Sequence, residues 1–176
     1  SLPQLTESGD NPLGDLVPYL HAEPQRQARW RARLDALPPG RRIGLIWSGN
    51  PLNGNNPTRA LPRAQLAALA GLDNVQWISL QMGVEGRQAP PEGLSWHAWG
   101  DEIADFADTA AIVSQLDLLI STDTGPAHLA GALGAPTWLL VQRVPDWRWG
   151  LSGESCASYP SMRLFRQREQ GDWTSV

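Results

Sequence analysis

From residue 41 onward, short apolar runs of strand length alternate with stretches spaced like helices. The runs 43–47, 75–80, 117–121, 137–141 and 162–165, with a weaker one at 94–96, predict six strands. Between them, the pattern predicts a helix over 62–71, one capped by Asp105 or Asp108 and running through Ala111 to Gln115, and a short one from Pro126 to Gly134. Asp172 is placed to cap a further helix at the chain end. Residues 1–40 behave differently: Pro3, Pro12, Pro18, Pro24, Pro38 and Pro39 confine helix to 24–37. There Trp30, Leu34 and Leu37 lie at helical spacing, and Arg26, Arg29, Arg31 and Arg33 spread over the other faces. The segment reads as a connector and linker helix, with an anion-binding role for its arginines as the rival reading, and 41–176 as a Rossmann-like α/β domain. Strands joined by crossovers predict a doubly wound parallel sheet in the order 3-2-1-4-5-6, with ligand bound where the winding reverses, beyond strands one and four.

The loops that meet at that point are 48–59 and 122–125, both small, polar and glycine-bearing. Residues 116–136 form the organising stretch: a buried strand, the polar turn Ser121-Thr122-Asp123-Thr124, then a helix that Thr124 or Gly125 caps and Pro126 opens. Free backbone N–H groups, the positive end of the helix dipole and His128 one turn in together favour a bound anion.

Composition narrows the classes. The 176 residues are 41% hydrophobic, enough for one domain with a real core. Net charge is −4, and the basic residues, all arginine apart from histidine, are scattered, which argues against a nucleic-acid surface. Cys156 is the only cysteine, excluding an internal disulfide framework or cysteine metal site and pointing to a reducing, cytoplasmic setting. Neither a signal-peptide pattern nor an apolar run long enough to cross a bilayer occurs, and a start at Ser1-Leu2-Pro3 reads as cut from a longer protein. Gly-x-Gly-x-x-Gly, the Walker lysine loop and Gly-x-Ser-x-Gly are all absent, and His21, His97 and His128 lack metal-ligand spacing, so no metal or cofactor is expected.

Asp123-Thr124-Gly125-Pro126-Ala127-His128 resembles the Asp-Thr/Ser-Gly-x-x-His turn of the heptosyltransferase-like glycosyltransferases, family 9, which have the GT-B fold. The resemblance extends through 130–138, 145–150, 159–167 and 171–173, blocks that look like the glycosyltransferase domain ending bacterial tetratricopeptide-repeat proteins, and upstream through 43–51. It implies the carboxyl-terminal, donor-binding half of a metal-independent GT-B glycosyltransferase that displaces a nucleoside diphosphate from a sugar. The acceptor half and any repeats would precede it, residues 1–20 being the connector from that half.

On this reading Thr124, Gly125 and the next N–H groups bind pyrophosphate with His128, and Arg59 stands where family members often carry a phosphate-binding lysine. A solvated loop arginine and a histidine bonded inside the fold are the alternatives. Asp123 either orients His128, a loop amide or a sugar hydroxyl, or serves as helix cap. Ser48 and Asn50 join the donor site, although Asn50, Asn53, Asn55 and Asn56 are also turn formers. Trp99, with Asp101 and Glu102, and the loop residues Asp146 and Trp147, beside Arg148 and Trp149, are candidate walls of the nucleoside or sugar pocket. Two rivals are a non-catalytic nucleotide-binding or scaffold module of a repeat protein, and a nucleotide-sugar epimerase using the same turn.

Overall fold

A computed structural model describes residues 17–176. The sheet has six parallel strands in the order β3-β2-β1-β4-β5-β6: β1 (Arg41–Ile46), β2 (Val75–Ser79), β3 (His97–Ala98), β4 (Leu118–Thr122), β5 (Thr137–Val141) and β6 (Met162–Arg166). This is the Rossmann-like doubly wound arrangement the alternation predicts. Along β1, Ile43 and Leu45 enter one core cluster and Ile46 the other, as a period of two requires when both faces are covered.

On one face α1 (Pro24–Asp35) packs against α4 (Phe106–Val113), and Trp30 and Leu34 are fully buried with Ile78, Ile112 and Leu119. Asp105 is the cap of α4: its carboxylate accepts from the N–H groups of Ala107 and Asp108, both at 3.0 Å. Asp108 is instead buried, accepting from the Trp30 indole at 3.1 Å and the Ala104 N–H at 3.1 Å, with Arg26 at 2.9 Å. The other face holds Leu45, Trp47, Trp77, Ile120 and Trp173. A third cluster joins Ala127 of α5 (Gly125–Ala132) to Leu139, Val141, Met162 and Leu164.

Three expectations differ in detail. Residues Arg63–Leu69 form 3-10 turns rather than an α-helix, with Leu66 buried and Leu69 partly buried in the core cluster on that face. The third strand is His97–Ala98 instead of 94–96: Leu94 and Trp96 bury their side chains, but the Leu94 N–H is spent in a turn to the Pro91 carbonyl. Asp172 folds back on Thr174, whose N–H it accepts at 3.0 Å, and no helix follows. Of the proposed connector, residues 1–16 lie outside the described residues. Among the described residues no helix is long and apolar enough to cross a membrane.

Candidate functional site

A cleft of about 960 Å³ opens beyond the carboxyl ends of β1 and β4, at the winding reversal. Ser48, Asn50, Arg59, Asp123, Thr124, Gly125, Pro126, His128 and Asp146 all line it. Trp99 does not: it is 3% exposed, packed on Trp30 at 5.5 Å between ring centroids on the α1 face. Trp147 is 71% exposed and outside the lining.

The wall after β1 is built by side chains standing in for backbone partners. Gln81, between β2 and the short helix α3 (Gly83–Gly86), accepts the Trp47 and Ser48 N–H groups on its Oε1 at 3.0 and 2.9 Å. Asn56, at the start of α2 (Asn56–Arg59), accepts the Gly49 N–H at 2.8 Å and donates to the Ser48 hydroxyl at 3.2 Å. At Gly49 a Cβ would stand 2.7 Å from an Arg59 guanidinium nitrogen and 2.9 Å from Asn56 Oδ1, so a larger residue would have to displace one of these two side chains. Asn50 and Asn53 each accept an N–H two residues on, so their turn-forming role is observed. Among the described residues Arg59 forms no ion pair, and its Nε is buried without a partner.

Past β4, Thr124 has the extended backbone of a helix N-cap but makes no side-chain cap. Its hydroxyl lies 3.0 Å from Ser121 Oγ, which donates to the Thr122 carbonyl at 2.8 Å. Thr124 is therefore the donor in the first contact and has only lone pairs left for a ligand. His128 reaches back toward the turn, with Nε2 3.6 Å from Asp123 and Nδ1 3.3 Å from the Tyr159 hydroxyl, and stacks on Trp149 at 4.8 Å. Burial is the largest influence on the Asp123 carboxyl and pushes its pKa up. His128, the adjacent Trp149 indole and the Arg59 charge together outweigh it, and Asp123 titrates below the usual carboxylate range. The Trp149 N–H leans toward Asp123 without meeting full hydrogen-bond geometry.

Gln81 and Tyr159 are lining residues that sequence reading passed over as site members, while Asn56, weighed there as a ligand group or a turn former, lies behind the lining and supports Gly49 and Ser48. Gln81 had a signal in the glycines around it: at Gly86 and Gly100 a Cβ would stand 1.8 and 1.9 Å from its carbonyl oxygen, so both glycines exist to let the chain pass. Asp146 is paired with Arg148 at 2.6 Å, so it is already neutralised at the rim.

The chain is similar to FlbA. That curated protein of Caulobacter vibrioides (strain ATCC 19089 / CIP 103742 / CB 15) is 31% identical over 161 residues, which cover 88% of this chain and 27% of FlbA. The chain thus spans about a quarter of the length of this relative. No protein-family model matches the chain, and no solved structure matches it.

Proposed function

We propose that the chain binds a nucleoside diphosphate sugar and is the donor half of a metal-independent glycosyltransferase of the heptosyltransferase-like GT-B group. The observation that carries this reading is the convergence of Arg59, His128 and the start of α5 on one cleft at the winding reversal. Arg59, which forms no ion pair among the described residues, supplies the fixed charge a leaving diphosphate needs, and the Gly125 turn offers close backbone approach. The resemblance of 123–128 and the following blocks supplies the reaction class.

A second domain would close the cleft and bring the acceptor. Leu52, Met82, Val84, Phe106, Val144, Trp147 and Leu151 are exposed apolar residues, and all stand on segments at the carboxyl edge of the sheet, where such a domain would dock.

Calorimetric titration of this chain with ADP, UDP and GDP tests the reading. One of the three should saturate, and Arg59→Ala should weaken it by about ten-fold or more, as loss of a charge-assisted contact does. Absence of binding by all three at millimolar concentration refutes it.

A further inference from the structure

The geometry points to Tyr159 as the positioning residue of His128, holding the imidazole as its Nε2–H tautomer so that the ring serves the cleft as a hydrogen-bond donor. The inference deepens the nucleotide-binding reading and rests on it for its consequence, though not for its geometry.

The two ring nitrogens of His128 face opposite kinds of group. Nε2 looks at Asp123, whose carboxyl is held ionised and is therefore an acceptor only. Nδ1 looks at the Tyr159 hydroxyl, which can donate or accept. Burial first, and Tyr19 beside it, raise the Tyr159 pKa, so the phenol keeps its proton. In a neutral ring the proton then belongs on Nε2, and the bare Nδ1 takes the Tyr159 O–H. At 3.6 Å Nε2 and Asp123 attract each other but are too far apart for a full hydrogen bond, which leaves the Nε2 proton able to turn to a ligand oxygen in the cleft.

The remaining contacts fix the ring itself. Trp149 covers one face at an interplanar angle of 22°, and Tyr159 meets it edge-on at 65°. Tyr159 is seated by Gly131, one turn further along α5: a Cβ there would stand 2.4 Å from the Tyr159 ring. Two separate segments, α5 and the β5–β6 connection, are thereby locked at one hydrogen bond.

Nitrogen-15 chemical shifts of the His128 ring in the ligand-free chain at neutral pH, assigned with His128→Ala, read the tautomer directly. The Nε2–H form is expected in the native chain, and a mixture with Nδ1–H in Tyr159→Phe. In parallel, ADP, UDP and GDP affinities should fall about ten-fold in Tyr159→Phe. His128→Gln, whose amide places an N–H near Nε2, should keep more affinity than His128→Asn, and adding Tyr159→Phe to His128→Gln should change nothing further. A dominant Nδ1–H form in the native chain, or an unchanged tautomer in Tyr159→Phe, overturns the assignment; the first needs no variant to fold. If the tautomers behave as expected but none of the three nucleotides binds, the nucleotide reading falls and the positioning role stands.

Discussion

Asp108 shows how much one side chain decides. Its carboxylate is fully buried, and burial is the largest influence on it, opposing the charge; the Trp30 indole, the Ala104 N–H and Arg26 outweigh that penalty and lower its pKa. A carboxyl whose folded pKa lies below its unfolded value adds stability above the unfolded value and loses it as pH falls through the folded one. With Asp123 shifted the same way, thermal stability should hold from neutrality to about pH 5 and fall below about pH 4. Asp108→Asn should flatten that acid limb and cost roughly 2 kcal/mol near neutrality, because Trp30 and Arg26 lose their ionised acceptor while Arg26 keeps its contact with water. Urea unfolding across pH checks both. Gly131→Ala probes the opposite kind of constraint, since its new methyl meets the Tyr159 ring, and should cost about 1–3 kcal/mol by overpacking in the same assay.

At the scale of elements, Arg166 at the end of β6 has an outsized part. Its guanidinium donates to the carbonyls of Trp149, Gly150 and Gly153, tying down the segment that presents Trp149 to His128. Arg166→Lys retains the charge but loses the planar fork. It should loosen this segment, seen as faster amide hydrogen exchange over 150–155, with little change at β1 or β4. The 3-10 segment Arg63–Leu69 marks a limit of pattern reading: alanine-rich sequence suggests α-helix, and an apolar i, i+3 pair such as Leu66 and Leu69 fits either winding. α1 teaches a related lesson. Its stripe of Trp30, Leu34 and Leu37 was legible, while its partner, α4, lies some 80 residues away in sequence and was not. Removing residues 17–40 should therefore uncover the Ile112 face and abolish cooperative thermal unfolding.

For the molecule as a whole, binding and turnover separate. On the proposed donor-half reading, an acceptor would be placed by a second domain closing over the exposed apolar residues of the cleft edge, and this chain alone should be stabilised by a nucleoside diphosphate without transferring sugar. At a nucleotide concentration a hundred times Kd the stabilisation is about 2.7 kcal/mol, measurable as a rise in unfolding midpoint. Sugar transfer by the isolated chain at rates typical of intact glycosyltransferases would overturn that division of labour.

The strand order and the place of the cleft were determined by the sequence itself. Alternating apolar runs with crossovers admit few topologies, and the winding reversal follows from the order; Thr124, Gly125 and Arg59 line the cleft found there. Tertiary structure alone decided which tryptophans serve the site. Trp99, Trp147 and Trp149 share the same chemistry in sequence, yet one is sealed under α1, one faces water, and one stacks on His128. It also decided that Gln81 and Tyr159 line the cleft and that Asn56 braces its wall from behind. A polar side chain's role depends on which backbone or ring it meets after packing, and those meetings join residues far apart along the chain, where no local period records them.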